Sequence, residues 1–247
     1  MKKKRQTARF FRQLGTLFLD LIAPPTCLHC GMGISDGVFC ATCRTKWETE
    51  KQMPCRRCHF PQSRCQCMPS FLQTTFSGMF HLATYQAGTQ SLCKQLILTA
   101  KEQMSERLLA FLATEMVTRV AESGIFPDLV TYAPRSRRAR RMVGYDQSAR
   151  LAKRVAQLLE VPFAPTILRR GGGAPQKSLT ASERMLSAAV HEQINPKQVQ
   201  AIQGKTVLLL DDVLTTGATL GTCGVLLLAN GALRVYGITI GKTETDG

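Results

Sequence analysis

Acidic residues are scarce in this chain: its 247 residues include 17 Asp and Glu against 32 Lys and Arg. The formal charge of +15 indicates a polyanionic partner or substrate, and nucleic acid is the obvious class. Long apolar runs are also missing, since no stretch approaches the ~18 residues that a membrane-spanning helix needs. Basic residues 2–5 and the apolar stretch 14–23 resemble a secretory signal, but Asp20 interrupts the stretch and no small-residue cleavage site follows. We therefore expect a cytoplasmic protein.

The sequence lacks the cysteine pattern of a disulfide framework, although it has ten cysteines. Eight stand in closely spaced pairs with the spacing of metal ligands. Cys27, Cys30, Cys40 and Cys43 form a first quartet, and Cys55, Cys58, Cys65 and Cys67 form a second. The first quartet has the spacing of a zinc ribbon, whereas a single residue separates the last pair of the second. We predict one structural zinc ion in each quartet, because a thioredoxin-like redox pair would not recur in this way.

The hydrophobic pattern divides the chain into three predicted parts. Residues 1–24 carry apolar side chains at helical spacing behind a basic start, and we expect this amphipathic helix to pack on the protein itself rather than on a membrane surface or an acidic partner. Residues 25–70 contain both quartets and are predicted to form a double zinc ribbon. In residues 71–247 strands and helices alternate, which predicts an α/β domain with a parallel sheet flanked by helices.

Several elements of the third part are predicted individually. Apolar and β-branched runs predict strands at Leu129–Ala133, Thr166–Arg170 and Val235–Ile240, and a strand pair or one bent strand at Phe76–Tyr85. An apolar stripe predicts a helix from Ser105 to Glu122, with Ser105 as its N-cap.

The stretch from Val207 to Thr219 is the most informative one. Its four leading apolar residues predict a buried strand that surfaces at Asp211 and Asp212, and open α/β sheets bind ligands at the carboxyl ends of their strands. A helix predicted from Leu220 would direct free N–H groups and the positive end of its dipole at a phosphate. The small loop residues before it are Thr215, Thr216, Gly217, Ala218 and Thr219. The stretch predicts carboxylates for hydroxyls or a metal beside a phosphate site.

The most basic stretch follows the predicted strand at Leu129–Ala133. It contains Arg135, Arg137, Arg138, Arg140 and Arg141, followed by Tyr145 and Gln147. These guanidinium groups could bind a pyrophosphate or a nucleic-acid backbone, and Tyr145 could stack a base; a solvated surface loop is the alternative. Two zinc sites of net charge −2 would lower the formal charge from +15 to about +11, which is still strongly basic. The glycine-rich stretch Gly171–Lys177 is either a lid over a ligand or a plain surface connection.

The order of strand, acid pair, hydroxyl-rich loop and helix resembles that of the phosphoribosyltransferases, which bind phosphoribosyl pyrophosphate (PRPP). The resemblance implies that Asp211 and Asp212 hold the ribose 2′ and 3′ hydroxyls and that residues 215–219 hold the 5′-phosphate. It also implies that Mg²⁺ accompanies PRPP and that Lys101, Arg135 or the other arginines neutralise the pyrophosphate.

The chain as a whole resembles the ComF (competence protein F) family from Leu17 to Val235. The resemblance is carried by the two quartets followed by Gly144-Tyr145-Asp146-Gln147, Gln176, Arg184 and the acid-pair loop. It implies a double zinc ribbon joined to a type I phosphoribosyltransferase-like domain, a cytoplasmic location and a part in the uptake of transforming DNA.

Three positions depart from the family pattern. Val143 stands where an arginine is common, Ser187 where an asparagine is usual and Val190 where an aromatic residue is usual. Besides a structural adaptor whose pocket is vestigial, two functions therefore stay open. The first is a PRPP-binding protein that handles nucleotide or single-stranded DNA during natural transformation, with DNA-uptake helicase machinery as a partner. The second is an active Mg²⁺-dependent phosphoribosyltransferase of nucleotide metabolism, for which no residue identifies the acceptor.

Overall fold

The computed structural model describes residues 25–85, 91–135, 144–169 and 192–243. The chain divides into two compact units, Met1–Lys46 and Trp47–Gly247. The first quartet lies in the smaller unit and the second in the larger. The predicted helix in residues 1–24 lies outside the described residues, and the predicted domain boundaries at residues 24 and 70 stay predictions.

Six α-helices and six β-strands are found in the described ranges. The helices are α1 (Ala41–Gln52), α2 (Leu92–Glu102), α3 (Glu106–Glu122), α4 (Gln147–Leu158), α5 (Val199–Ile202) and α6 (Ala218–Ala229). The strands are β1 (Gly78–Tyr85), β2 (Leu129–Tyr132), β3 (Ile167–Arg169), β4 (Glu192–Ile194), β5 (Thr206–Leu214) and β6 (Arg234–Thr243). Short 3₁₀ turns occur at Ser70–Leu72 and Pro196–Gln198. None of the helices in these ranges is long and apolar enough to cross a membrane.

The main sheet is parallel, with the strand order β1-β6-β5-β2. Residues Val207–Leu210 of β5 are fully buried, which explains why this strand is a continuous apolar run rather than an alternating one. The predicted parallel sheet flanked by helices is confirmed. β1 is a single strand of eight residues, so the strand-pair interpretation of Phe76–Tyr85 is wrong.

Side-chain caps determine where two helices begin. The Ser91 hydroxyl accepts a hydrogen bond from the Lys94 N–H, and the Ser105 hydroxyl accepts one from the Leu108 N–H, each at 3.1 Å. The predicted N-cap at Ser105 is confirmed. Lys101 lies in the last turn of α2.

Helix α6 packs on the sheet through an apolar core. Leu220 and Leu227 of α6 belong to one buried cluster with Leu209 of β5, Val235 of β6 and Leu72 of the first 3₁₀ turn. Full burial of a leucine side chain stabilises a fold by about 1.5–3 kcal/mol. This packing holds the N-terminus of α6 in place beside the carboxyl end of β5.

Residues 47–52 of α1 belong to the larger unit and contact two other helices of that unit. The Glu50 carboxylate accepts hydrogen bonds from the first two backbone N–H groups of α2, at 2.8 and 3.0 Å, where a helix has unpaired donors. Glu115 of α3 accepts a hydrogen bond from Trp47 Nε1 at 2.9 Å and one from Lys51 Nζ at 2.7 Å. These contacts fix the helix that carries Lys101.

A second, antiparallel sheet consists of β3 and β4. Residues 170–191, which connect the two strands, lie outside the described ranges. The prediction that Gly171–Lys177 forms a lid or a surface connection falls on this segment and stays a prediction.

Candidate metal centres and phosphoribosyl site

The first quartet forms a cluster of the size that a zinc ion needs. Its four sulfur atoms lie within 4.8 Å of one another, and Cys30 Sγ is 3.7 Å from Cys40 Sγ. Sulfur atoms around a tetrahedral zinc ion, each at about 2.3 Å from it, are about 3.8 Å apart. The N–H of Cys27 donates to the carbonyl of Met32 at 2.7 Å, and the N–H of Gly31, at a φ of 73°, donates back to that of Cys27 at 2.9 Å.

The second quartet repeats the same turn. The N–H of Cys55 donates to the carbonyl of Phe60 at 2.8 Å, and the N–H of His59 donates to that of Cys55 at 2.8 Å. His59 has a positive φ of 59°, and Gly31, the equivalent residue of the first turn, also has a positive φ. Its four sulfur atoms also lie within 4.8 Å of one another, with Cys58 Sγ 3.6 Å from Cys65 Sγ. The short spacing of its last pair therefore does not prevent convergence, and both quartets can hold a zinc ion.

Backbone donors favour a thiolate in each quartet. Burial opposes the ionisation of Cys27 and of Cys55, but nearby backbone N–H groups lower the pKa of each thiol to about 6. Burial raises the pKa of Cys43 to about 12 and also raises that of Cys65. Each quartet thus combines a readily ionised thiol with one that holds its proton in the absence of metal. Zinc binding must displace such protons, so zinc affinity is expected to rise with pH.

The second candidate site lies at the carboxyl end of β5. Strand β2 ends at Tyr132, which pairs with Leu210, whereas β5 continues to Leu214. Asp211 and Asp212 therefore extend past the end of one neighbouring strand while β6 still pairs with the other edge of β5. The strand does not end at the acid pair, as the sequence suggested, but includes it.

Asp212 is contacted by side chains from two helices. Lys101 Nζ of α2 lies 3.2 Å from Asp212 Oδ2, and Gln147 Nε2 of α4 donates a hydrogen bond to the same oxygen at 2.9 Å. Gln147 is buried, and its Oε1 atom has no hydrogen-bond partner in the described part of the chain. Three residues that the sequence singled out separately thus meet at one carboxylate.

Asp211 lies in a site that disfavours its charge. Burial raises the pKa of the Asp211 carboxyl well above its ordinary value, and the neighbouring Asp212 carboxylate raises it further. The Asp212 N–H, which donates to Asp211 Oδ1 at 2.8 Å, and the more distant Lys101 act in the opposite direction. A cation or hydroxyl donors placed between the two acids would relieve this unfavourable electrostatic energy.

The predicted phosphate loop is short. Helix α6 begins at Ala218, so the loop consists of Thr215, Thr216 and Gly217, while Ala218 and Thr219 lie in the first helical turn instead of the loop. Gly217 occupies the N-cap position with a φ of 79°, a conformation that favours glycine. The turn therefore presents the backbone donors of a helix N-terminus next to the acid pair.

Gly217 also packs closely against the first 3₁₀ turn. A Cβ atom at Gly217 would lie 2.8 Å from Leu72 Cδ1 and 3.2 Å from Phe71 Cζ. The loop backbone thus rests directly on the segment that follows the second quartet.

The residues around Gly144-Tyr145-Asp146-Gln147 hold the site together. The Tyr145 hydroxyl donates to the Ala100 carbonyl at 3.0 Å and accepts from the Met104 N–H at 2.7 Å, which attaches it to the end of α2. Asp146 is the N-cap of α4 and also accepts a hydrogen bond from the Arg135 N–H at 3.1 Å. This hydrogen bond therefore joins the residue that follows β2 and Ala133-Pro134 to the start of α4.

The predicted pyrophosphate and nucleic-acid contacts lie partly outside the described residues. Arg137, Arg138, Arg140 and Arg141 fall there. Arg135 is described, and its Nη1 atom is buried without a hydrogen-bond partner among the described residues. The guanidinium of Arg150 lies 5.5 Å from the centroid of the Tyr145 ring, and base stacking by Tyr145 stays a prediction.

Comparison with known proteins agrees with this architecture. Residues 146–240 match the family model of the phosphoribosyl transferase domain. The DNA utilization protein YhgH of Escherichia coli (strain K12) is 26% identical over 228 residues, which cover 87% of this chain and 96% of YhgH. The alignment with YhgH spans most of both chains, and this chain has two clusters of four cysteines besides the matched domain. The resemblance to the ComF family is confirmed.

A second relative gives an alignment of the same extent. The DNA utilization protein YhgH of Salmonella typhimurium is 27% identical to the ComF-like chain, again over 87% of this chain and 96% of that protein. Among solved structures, the glutamine PRPP amidotransferase of B. subtilis aligns with 57% of the ComF-like chain and 30% of its own length, at 16% identity and a TM-score of 0.40.

Sequence analysis missed several buried charged residues, and two of them, Lys242 and Glu192, contact cysteines. Lys242 lies near the end of β6, 7% exposed, with its Nζ atom 3.3 Å from both Cys55 Sγ and Cys65 Sγ. Glu192 of β4 is also buried and accepts a hydrogen bond from Cys223 Sγ at 2.9 Å. The alternation of β6 could have revealed Lys242, because it shares a face with the buried residues two and four positions before it. Nothing in the local sequence marks Glu192.

Proposed function

We propose that the carboxyl end of β5 binds a phosphoribosyl ligand of the PRPP type together with Mg²⁺. Asp211 and Asp212 accept hydrogen bonds from the ribose 2′ and 3′ hydroxyls. The loop Thr215–Gly217 and the first turn of α6 bind the 5′-phosphate through backbone N–H groups. Mg²⁺, which prefers carboxylate and phosphate oxygens, supplies positive charge to the pyrophosphate.

The observation that carries this proposal is the incomplete charge balance of the acid pair. Among the described residues, Lys101 forms an ion pair with Asp212 and not with Asp211, and the half-buried Asp211 lies beside it where its negative charge is disfavoured. A purely structural ion pair would not require the second acid. Gln147 and Arg135 at the same strand ends add a buried acceptor and a buried donor that have no hydrogen-bond partner within the described ranges.

The proposal extends to DNA handling. We place the ComF-like chain in the cytoplasm, where it acts in DNA uptake by binding single-stranded DNA and helicase machinery. Two features support this role: the relatives are named DNA utilization proteins, and the formal charge of +15 suits a polyanion. The five arginines between residues 135 and 141 are the proposed contact.

Titration calorimetry with PRPP and Mg²⁺ tests the ligand site. The wild-type protein is expected to bind PRPP saturably, and the double variant Asp211→Asn/Asp212→Asn is expected to bind at least about 100-fold more weakly, since two hydrogen bonds to charged groups are worth about 1.5–3 kcal/mol each.

A matched control lies at the other end of the same strand. Asp128 Oδ2 accepts a hydrogen bond from the Thr206 N–H at 2.8 Å, so Asp128→Asn makes the same chemical change where β5 begins. This control is expected to bind PRPP as the wild type does. Equal binding heats in the double variant and the wild type would remove Asp211 and Asp212 from the site.

The DNA contact has its own test. Fluorescence anisotropy with a labelled single strand is expected to show affinity that falls as salt rises. Loss of three arginines in Arg137→Ala/Arg138→Ala/Arg141→Ala should reduce the slope of log affinity against log salt by about 2, because each neutralised phosphate of a single strand contributes about 0.7. An unchanged slope would exclude these arginines as phosphate contacts.

A further inference from the structure

Lys242 connects the main sheet to the second quartet. Its Nζ atom lies 3.3 Å from Cys55 Sγ and 3.3 Å from Cys65 Sγ, and the residue is 7% exposed. Cys65 has a further contact, because its carbonyl accepts a hydrogen bond from Arg119 Nη2 of α3 at 3.4 Å. The quartet is thus bound to the end of β6 and to a helix that packs on the sheet.

The surroundings of Lys242 identify what balances its charge. A buried ammonium group is costly unless an anion accompanies it. Within the described part of the chain, Lys242 forms no ion pair with a carboxylate, and the sulfur atoms of Cys55 and Cys65 are its side-chain partners. Four thiolates around a divalent zinc ion carry a net charge of −2, which provides the missing counter-charge. Such outer contacts orient metal ligands and tune metal affinity.

The same residue lies next to the phosphate loop in the sheet. Lys242 of β6 pairs in register with Leu214, the last residue of β5. The hydroxyl of the following residue, Thr243, donates to the Leu214 carbonyl at 3.3 Å. The loop Thr215–Gly217 begins at the next peptide, so the position of β6 at Lys242 determines where the loop starts.

A second connection reaches the loop from the other end of the quartet. Three residues after Cys67 the chain enters the turn Ser70–Leu72. Within this connection the Met68 carbonyl accepts a hydrogen bond at 3.0 Å from Nη1 of Arg57, which lies between Cys55 and Cys58. Leu72 and Phe71 of this turn pack on Gly217. The quartet is therefore connected to the phosphate loop along two short paths, one through Lys242 and β6 and the other through the turn Ser70–Leu72.

We propose that zinc binding at the second quartet, acting through Lys242, positions the phosphate loop, so that zinc and the phosphoribosyl ligand favour each other's binding. Lys242 is a positioning residue in this arrangement and does not touch the ligand. The effect is reciprocal by thermodynamic necessity: if zinc strengthens ligand binding, the ligand slows the loss of zinc. The ligand half of this inference rests on the proposed function, whereas the zinc half does not.

The wild-type protein alone provides the first test. Mass spectrometry is expected to find two zinc ions per chain, and a chelator with a zinc-sensitive dye follows their release. PRPP with Mg²⁺ is expected to slow the release of one of the two ions by about fivefold or more, as typical coupling energies allow. The variant Asp211→Asn/Asp212→Asn, given the same PRPP, corrects for any zinc that PRPP itself chelates. Identical release with and without PRPP in a protein that binds PRPP would overturn the coupling.

Three variants of β6 test the role of Lys242. Lys242→Met is expected to release one zinc ion about 10–100-fold more readily, as other losses of an outer contact do, and to bind PRPP about tenfold more weakly. Lys242→Arg keeps a cation and should restore most of the zinc retention. Arg234→Met removes an exposed cation at the opposite end of the same strand and should change neither quantity. Thermal unfolding confirms that each variant is folded.

Each outcome decides one part of the inference. Wild-type zinc release in Lys242→Met would exclude Lys242 as a partner of the metal site. Rapid zinc release together with wild-type PRPP binding in Lys242→Met would exclude the coupling. A wild-type protein that binds no PRPP would overturn the proposed function and the coupling, while the comparison of Lys242→Met, Lys242→Arg and Arg234→Met would still decide whether Lys242 retains zinc. If Lys242→Met does not fold, the wild-type release experiment decides the coupling by itself.

Discussion

The variant Gly217→Ala is expected to lose about 2–5 kcal/mol of unfolding free energy, the sum of a backbone term and a crowding term. The φ of 79° at Gly217 costs a residue with a side chain about 1–2 kcal/mol. The added Cβ would lie 2.8 Å from Leu72 Cδ1 and 3.2 Å from Phe71 Cζ, and such overpacking costs about 1–3 kcal/mol. Urea denaturation measures the loss, and PRPP titration should show weaker binding, because the strain falls on the phosphate loop.

Gly124→Ala separates the two terms. Gly124 has a φ of 70°, but a Cβ there would meet no atom within 4 Å. This variant should lose only the backbone term, about 1–2 kcal/mol, and should bind PRPP normally. If both variants lost the same unfolding free energy, the packing of the turn Ser70–Leu72 on the loop would contribute nothing to stability.

Asp211→Asn should stabilise the unliganded protein at neutral pH while weakening its ligand site. The raised pKa means that the folded protein binds more protons than the unfolded chain, so stability falls as pH rises from the ordinary aspartate pKa through the raised one. Asparagine does not ionise, so Asp211→Asn removes this pH-dependent loss of stability. Each unit of pKa displacement is worth about 1.4 kcal/mol, and each kcal/mol shifts the melting temperature of a chain of this size by about 2–4 °C.

Thermal unfolding across a pH series measures this effect. The melting temperature of Asp211→Asn should rise above that of the wild type progressively as pH increases and should stay above it at neutral pH. Lys101→Met should shift the melting temperature in the opposite direction, because it removes the ion pair with Asp212 and a cation that lowers the pKa of Asp211. Asp128→Asn is the control at the amino end of β5. A difference between Asp211→Asn and the wild type that did not vary with pH would contradict the electrostatic explanation.

The fold class could be predicted because the signals that determine it are local. The run Val207–Leu210 is long enough for a buried strand, and the cysteine spacing alone assigns both quartets. The ends of the strands could be predicted less well from the sequence. β5 continues through Asp211 to Leu214 because β6 pairs with that edge, and no local pattern reveals a partner that lies about 30 residues later in the chain.

The candidate site was predicted as a set of residues but not as an arrangement. The acid pair and its loop are contiguous, so their order alone indicates a phosphoribosyl site. Lys101 and Gln147 were also singled out, yet their common partner, Asp212, depends on how α2 and α4 pack on the sheet. Lys242 was missed for the same reason, since its importance comes from sulfur atoms that are distant in the sequence.

The strand order has a consequence for how the chain acquires its structure. β6 lies between β1 and β5, although it is the last of the described strands to be synthesised. Until β6 leaves the ribosome, neither β1 nor one edge of β5 has a partner among the described strands. Such long-range pairing slows folding and leaves apolar strands open to aggregation. An early local nucleus that protects the nascent chain, such as a metal-loaded cysteine turn, would therefore benefit the α/β domain before its sheet is complete.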